Sequence, residues 1–412
     1  MIRWIIDGVL GTAAFSSINS QDRACIIDVR DLVDKPGNTQ VSVKKKIDRA
    51  LEAMGHGERV VICCDYGISR SNAVAAGVLA KAKNIPFEQA LRKVVQTTGE
   101  KHIKVEMTHI VRSAIEDDST KGPILKRKSK ILVTGGNGYL GKSLLNRTSG
   151  KFDLETSDTL NLLEDTVGLD EYVRQNNIST LVHFASPRIW NTNKALGETL
   201  VILRNVLDVC RENDIKLILP SHKDIFSGYR TEKLIATEDT PPKPKGLYGE
   251  TKFFSELLVR QYHEEYGLQF LIVRAPSVYG ANTQKPHFIQ QAIRKAHNNQ
   301  DITTHTYSNG APTLELLHVD DYISAMEQII KKDISGILHL GSEELKTTKE
   351  IAEEICTQLK SKAKTLAMEI DDFTPNIKMN YSRALEDLNW RPLVGLQKGL
   401  QNLISLHRIQ EN

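Results

Sequence analysis

The sequence predicts an α/β protein made of two α/β blocks in series, a small one followed by a larger one with a doubly wound parallel sheet. Three observations carry this. Runs rich in Ile, Val and Leu alternate with longer helical patterns over most of the chain, the mark of parallel βαβ units. The alternation breaks at IEDDSTKGPILKRKSK, residues 115–130, where acidic, small, Gly-Pro and basic residues follow one another without apolar periodicity. A chain of 412 residues also exceeds what one hydrophobic core usually organises. The expected division is a first domain over 1–115, a linker over 116–129 and a second domain over 130–412.

In order along the chain, ACIIDV (24–29) and RVVICC (59–64) read as strands. VSVKKKIDRALEAM (41–54), SNAVAAGVLAKAK (71–83) and PFEQALRKVVQT (86–97) have helical patterns, the last opened by Pro86. In the second block KILVT (130–134) leads into a glycine turn and a helix. STLVHFA (179–185) precedes a helix running to residue 212, and IKLILP (215–220) precedes a loop and a helix from Tyr248. QFLIVR (269–274) is followed by helices within 287–299 and 319–332. No internal repeat is present.

Two motifs in the second block carry chemistry. TGGNGYLG, Thr134 to Gly141, follows a strand and opens a helix. Gly135, Gly138 and Gly141 permit a tight turn and close approach of backbone to a pyrophosphate, while the helix N-terminus offers amide donors. Asp158, at the end of the next strand, lies where a carboxylate for the ribose hydroxyls is expected. Thr156 and Ser157 beside it would also suit a 2′-phosphate, so NAD and NADP both remain open. YGETK, Tyr248 to Lys252, places a phenol and an ammonium on one helix face. A nearby cation lowers a phenol's pKa and lets it exchange a proton near neutral pH.

With HFAS (183–186), RAPSVYG (274–280), LHVDDYISAM (317–326) and WRP (390–392), these motifs make residues 130–405 resemble the NAD(P)-dependent epimerase/dehydratase family, the extended short-chain dehydrogenase/reductases. The resemblance implies a Rossmann-type domain with a small C-terminal substrate region, and a nucleotide sugar as substrate. It makes Tyr248 the catalytic acid/base and Lys252 its pKa-lowering partner, which also holds the nicotinamide ribose. It lines the cofactor with Tyr139, Leu140, Phe184, Ala185, Ser186 and Pro276 to Val278. It also implies a homodimer through the helices near 192–212 and 248–266. The family's third catalytic group is a Ser or Thr upstream of the tyrosine. In ILPSHKDIFSG (218–228) that position falls on His222 or Lys223, with Ser221 displaced by one or two residues. Ser221 is taken as the third group, with a His222 donor as the alternative.

In the first block, VVICCDYGISRSNAV (60–74) ends a strand on a thiol and begins a helix at an arginine. Such a loop points backbone amides inward, which suits a phosphate dianion and stabilises a thiolate. Cys64 is then a nucleophile and Arg70 a two-oxygen phosphate ligand. Asp65, Tyr66, Gly67, Ile68, Ser69 and Ser71 form the rest of the cradle. An isolated pair at this spacing is more often a strand end with buried cysteines. Gly67, Ser71 and the strand-loop-helix context favour the phosphate loop.

This stretch makes residues 1–115 resemble a dual-specificity-type cysteine phosphatase. The resemblance implies a phosphocysteine intermediate, a phosphorylated substrate and a general-acid aspartate from an upstream loop. Asp31 and Asp34 both fit, and counting back from the helix favours Asp31. The residue before the nucleophile, usually histidine, is here Cys63, which removes one group that steadies the loop. The whole chain thus reads as a bifunctional enzyme. The departures leave a second reading open, a phosphate-binding module fused to an NAD(P)-binding regulatory module.

Charge is nearly balanced, with 54 basic and 51 acidic residues, so no broad field points to nucleic acid or a membrane surface. Five scattered cysteines, without metal-ligand spacing, point to a reducing compartment and no metal. The longest near-apolar run, AVAAGVLA at 73–80, falls well short of the roughly 18 residues a membrane span needs. A cytoplasmic location is expected.

Overall fold

A computed structural model of the chain describes residues 1–19, 22–116, 130–157, 159–187, 191–231, 233–281 and 288–411. Most of the expected linker, and Asp158, lie outside the described residues.

The first stretch runs β1 (Arg3–Ile6), β2 (Leu10–Ala14), β3 (Cys25–Asp28), α1 (Gln40–Gly55), β4 (Val60–Cys64), α2 (Arg70–Lys83), α3 (Phe87–Thr98) and α4 (Val105–Ile115). Its four strands lie in the order β1-β2-β4-β3. Strand β4 pairs in parallel with β2, Cys64 opposite Ala14, and with β3, Cys63 opposite Asp28. Flanked on both edges and covered on both faces, VVICC is buried throughout, which is why it reads as an unbroken apolar run. Helix α1 is capped by Thr39, whose side chain accepts from the Ser42 amide. Helix α3 buries Phe87, Ala90, Leu91 and Val94, one stripe at helical spacing. Helix α2 has no polar face over Ser71 to Ala80, because the whole run is buried between its neighbours.

The second stretch runs β5 (Lys130–Thr134), α5 (Tyr139–Thr148), β6 (Leu154–Thr156), α6 (Thr166–Gln175), β7 (Ile178–His183), α7 (Asn193–Glu212), β8 (Lys216–His222), β9 (Leu234–Ala236), α8 (Leu247–Tyr266), β10 (Phe270–Ala275), β11 (Ser277–Tyr279), α9 (Phe288–His297), β12 (Ile302–Tyr307), β13 (Thr313–His318), α10 (Val319–Lys331) and β14 (Gly336–His339). It ends with β15 (Leu345–Thr347), α11 (Thr348–Leu359), β16 (Thr365–Ile370), β17 (Ile377–Met379), α12 (Ser382–Leu388) and α13 (Leu396–Glu411). Six strands form a sheet in the order β14-β10-β8-β7-β5-β6. Strand order reverses between β5 and β7, and the crevice at such a switch point is where doubly wound sheets bind ligands. The remaining strands make small sheets, β11-β13-β15, β12-β16 and β17-β9.

The compact units do not follow the sequence-based boundaries. One comprises Met1–Ser129 together with Thr159–Ile178 and Arg204–Ile215, and the other takes the rest of the chain. Within the first, Asp170 on α6 is buried and accepts from His109 Nε2 (2.9 Å), Asn213 Nδ2 (2.8 Å), Arg174 Nε (3.1 Å) and Arg112 Nη2 (3.4 Å). Arg112 and Arg174 also share Glu88 of α3, at 3.0 and 3.1 Å. This network of charge-assisted bonds ties α3, α4, α6 and the segment after α7 together. Among the described residues no helix is long and apolar enough to cross a membrane, and no group of His, Cys, Asp and Glu is arranged to hold a metal.

Two carboxyls give opposite pH signatures. Burial alone would raise the Asp170 carboxyl, but the His109 bond and the surrounding cations hold it well below its ordinary value of 3.8. Its stabilising contribution is therefore complete above pH 3.8 and is lost as pH falls below it. Asp170→Asn is expected to cost about 3–5 kcal/mol near neutral pH, read by urea unfolding, and to weaken the acid limb of the stability curve. Glu315 on β13 accepts from the Ser342 and Met379 amides, both at 2.8 Å. Burial pushes it up from 4.5 to about 7 against those bonds. Its contribution is present below pH 4.5 and lost as pH rises through 7. Thermal unfolding of Glu315→Gln should show a flatter profile across that interval.

Candidate functional site

Strands β2, β3 and β4 end at one edge of the first sheet, and the loop after Cys64 is built there. Neighbouring residues of a strand face opposite sides, so Cys63 and Cys64 differ although both are buried. Burial pushes the Cys63 thiol up to about 11. Burial would raise Cys64 as well, but the Ser71 hydroxyl and the amides of Ser71, Gly67 and Ile68 outweigh it and hold that thiol below its ordinary value. The Ser71 hydroxyl lies 3.3 Å from Cys64 Sγ, and the Gly67 amide donates to it at 3.2 Å. Gly67 has φ +68°, and a Cβ there would lie 2.6 Å from Ala14 N, so the turn requires glycine.

The loop is steadied from outside. Arg3 donates to the Gly67 carbonyl. Ser69 Oγ donates to Asp34 Oδ1 at 2.7 Å and accepts from the Lys104 amide at 3.0 Å. Asn72 Nδ2 donates to the Ile68 carbonyl at 2.8 Å. Arg70, at the first turn of α2, gives Nη1 to the carbonyls of Arg30 (3.1 Å) and Leu32 (2.9 Å). Its Nη2 meets Asp65 Oδ2 at 2.5 Å, and its Nε lies 3.2 Å from Asp34 Oδ2. Asp31 is placed elsewhere, exposed and paired with Lys46 Nζ at 2.9 Å. The structure therefore pairs Cys64 with Ser71 and Arg70 with Asp34 in the one loop, and leaves Asp31 outside it. Tyr66 is 79 % exposed. The sequence pointed to none of Arg3, Asn72 or Lys104: Arg3 acts from a distant part of the chain, Lys104 through its backbone amide, and Asn72 by a side-chain bond to a carbonyl four residues back.

In the second unit the turn after β5 reaches the switch point. Gly135 has φ +71°, and a Cβ there would lie 2.7 Å from Ala185 N. Gly138 donates to the Gly135 carbonyl at 2.9 Å and stands at the N-cap of α5. Gly141 packs on the backbone of Gly135 and Gly136. Phe184 donates its amide to the Thr134 carbonyl at 3.1 Å, which joins the ends of β5 and β7. Thr134 Oγ1 lies 2.8 Å from His183 Nδ1. Burial, with Lys252 nearby, lowers His183 to about 3, so its ring is neutral. Tyr139 and Leu140 pack partly against the core, and Ser186 is exposed. The glycine turn at the N-terminus of α5, set at the switch point of the sheet, fits a dinucleotide pyrophosphate.

Tyr248 and Lys252 share a face of α8, the ammonium 5.8 Å from the centre of the phenol ring. Lys252 Nζ donates to the Pro220 carbonyl at 3.3 Å, and burial lowers its pKa. Tyr248 differs from the sequence expectation. Burial, and then the Asp224 carboxylate, push its phenol above the ordinary value. Ser221 is drawn away into a buried network: its Oγ donates to Glu256 Oε1 at 2.5 Å, and Glu256 is held by Arg274 Nη2 at 2.7 Å. The ring beside Tyr248 belongs to His222, edge-on with centroids 5.1 Å apart. His222 Nδ1 lies 3.2 Å from the Asp224 amide and 3.3 Å from Asp224 Oδ1, so Asp224 sets the ring's orientation. Asp224 and His183 were given no role from the sequence, although both lie within stretches that were quoted.

Comparison with known proteins bears on the second stretch of the chain. The sequence model of the NAD dependent epimerase/dehydratase family matches residues 131–341. UDP-glucuronic acid decarboxylase 1 of Arabidopsis thaliana is 23 % identical over 316 residues, 68 % of this chain and 70 % of that protein. Mitochondrial L-threonine 3-dehydrogenase of Sus scrofa is 25 % identical over 314 residues, 68 % of this chain and 82 % of that one. Among solved structures, the UDP-glucose 4-epimerase of Thermus thermophilus complexed with NAD superposes with a TM-score of 0.60 at 20 % identity, covering 68 % of this chain and 99 % of that chain. The dTDP-glucose 4,6-dehydratase of Bacillus anthracis in complex with NAD gives 0.60 at 19 %, covering 69 % and 97 %.

The thiol loop makes a prediction independent of any substrate. Alkylation of Cys64 by iodoacetamide, followed by peptide mass spectrometry against pH, should have its midpoint below that of an ordinary thiol. Ser71→Ala removes one donor to the thiolate and should raise the midpoint by about one pH unit. Gly67→Ala should raise it further, since the turn can no longer present its amide.

Proposed function

Since the chain belongs to the NAD dependent epimerase/dehydratase family, we propose that its second unit is an NAD(P)-dependent enzyme acting on a nucleotide sugar, by epimerisation, dehydration or reduction. The observation that carries this is the glycine turn at the switch point together with Tyr248, Lys252 and His222 gathered on the neighbouring strand end and helix. The nucleotide-sugar class rests on relatives such as the decarboxylase, the epimerase and the dehydratase. When bound, the nicotinamide accepts or returns a hydride at a sugar carbon. Tyr248 moves the proton of the sugar hydroxyl at its Oη, and Lys252 holds that region positive. His222, edge-on to Tyr248 and oriented by Asp224, takes the donor role that Ser221 cannot while bound to Glu256. The turn of Gly135, Gly138 and Gly141 brings the N-terminus of α5 to the pyrophosphate. Val201, Phe254 and Leu257 are exposed apolar residues on α7 and α8, which supports a homodimer through those helices. Five free cysteines and near-neutral charge fit a cytoplasmic protein.

The first unit is proposed as a cysteine-dependent phosphatase. The support is the Cys64 thiol held below its ordinary pKa inside a loop of amides, with Arg70 beside it. Cys64 Sγ would attack phosphorus to form a phosphocysteine, and the leaving oxygen would take the proton of Asp34 in its carboxylic acid form, which requires phosphate to have taken Arg70 Nε from it. Water would then cleave the S–P bond and release phosphate, and the resulting Asp34 carboxylate would take the proton back from that attacking water. Asp34 replaces Asp31 in this reading because it reaches both Ser69 and Arg70.

Incubation with a panel of nucleotide sugars and L-threonine, with NAD and NADP in turn, should yield a mass-shifted or isomerised nucleotide sugar. Tyr248→Phe should lower kcat by about 10²-fold or more. His222→Ala should lower it, whereas Ser221→Ala should lose stability by about 1–3 kcal/mol with turnover retained. Conversion of nothing in the panel, or indifference to Tyr248→Phe, would sink the enzymatic reading. Separately, Cys64→Ser should abolish phosphate release from an aryl phosphate, and Asp34→Asn should slow it while Asp31→Asn does not.

A further inference from the structure

Arg70 has two edges, and the protein treats them differently. Nη1 spends both its hydrogens on the backbone carbonyls of Arg30 and Leu32, which pins the guanidinium in place. The other edge, Nε and Nη2, is the fork that binds two oxygens of a phosphate side by side. Here two carboxylate oxygens stand in front of it, Asp34 Oδ2 3.2 Å from Nε and Asp65 Oδ2 2.5 Å from Nη2. The fit is imperfect. Nε is buried and, among the described residues, makes no hydrogen bond of good geometry. Both carboxylates open onto solvent, their side chains 36 % and 49 % exposed, whereas the Arg70 side chain is 12 % exposed.

We infer that Asp65 is a built-in competitor for the Arg70 fork, which a phosphate monoester must displace, and that this residue sets the loop's affinity for dianionic phosphate. The inference rests on the phosphate-loop reading of the first unit. Asp65 is suited to the role by its position. It follows the nucleophile directly, so it can turn out to solvent without disturbing β4. Asp34 is also bonded to Ser69 Oγ, so it stays at the loop when the fork changes partner. The two carboxylates therefore play different parts, in that Asp65 leaves when phosphate arrives and Asp34 remains within reach of the leaving oxygen.

The test uses the full chain and inorganic phosphate as the probe. Cys64 is alkylated with iodoacetamide over a range of phosphate concentrations, and each rate is divided by the phosphate-free rate of the same variant, which removes any change in the thiol's own reactivity. Asp65→Asn should bind phosphate about three- to tenfold more tightly than the natural chain, and its KM for 4-nitrophenyl phosphate should fall by a similar factor. Asp34→Asn should show its main loss in kcat. Protection in Asp65→Asn alone would also support the competitor. Equal protection of the natural chain and Asp65→Asn, or weaker protection in the variant, overturns the competitor and leaves the phosphate loop standing. Phosphate that protects Cys64 in no variant overturns the loop reading, and the competitor with it.

Discussion

Both candidate sites depend on one constraint: a buried parallel strand must hand the chain to a helix through a glycine whose φ is positive and whose missing Cβ lets it touch the next strand's end. Gly67 does this against Ala13 and Ala14, and Gly135 against Phe184 and Ala185. In each case the turn leaves amides pointing at the space above the sheet edge, with a helix N-terminus behind them. What differs is the company those amides keep. After β4 they converge on a sulfur with an arginine alongside, which favours a covalent step on phosphorus. After β5 they stand at the switch point of the sheet, which favours holding a pyrophosphate.

Much of this was legible in the sequence because it is local. The strands 130–134, 179–185 and 269–274 and the helices after Arg70, Phe87 and Val319 show periodicities that do not depend on distant partners. Strands β1 and β2 escaped, since RWII and LGTAA are short and the second is built of Gly, Thr and Ala. Their place in the sheet comes from pairing with β4 and from Gly11 packing beneath Trp4. Helix α4 escaped as well. Its buried face includes Glu106 and Arg112, charges that blur an amphipathic pattern and become acceptable only through partners far along the chain. The boundary of the first compact unit was illegible for the same reason, because Asp170 is one acidic residue among many until His109, Arg112, Arg174 and Asn213 surround it.

At the sites, residue type was readable and orientation was not. Ser221 and His222 are neighbours on β8, so their side chains leave opposite faces of the sheet, and only one can meet Tyr248. The buried Arg274–Glu256 pair decides which. Two buried charges need their remaining lone pairs satisfied, and Ser221 supplies one hydroxyl to Glu256. That assignment turns His222 toward the phenol. Counting positions from the tyrosine could not reveal it, because the deciding carboxylate lies on α8 and the deciding guanidinium on β10. Asp31 and Asp34 are a similar case. Both belong to one loop, and what separates them is Lys46 on α1, which captures Asp31, against Ser69 and Arg70, which capture Asp34.

The reactive groups of the two units are poised in opposite senses. Cys64 receives its stabilisation from the fold itself: hydroxyl and amides overcome burial and hold the thiol below its ordinary pKa before any ligand arrives. Tyr248 is the reverse. Burial and Asp224 hold its proton on, and Lys252, itself weakened as a cation by burial, does not reverse that from 5.8 Å. A phenol so placed changes protonation only when further positive charge or a hydrogen-bond partner enters beside it, which makes its chemistry conditional on a filled site. The thiol has no such condition, and the Arg70 fork beside it, rather than the sulfur, is the group that would draw any phosphate that passed. Two carboxylates across the Arg70 fork supply the restraint that the sulfur's own environment lacks.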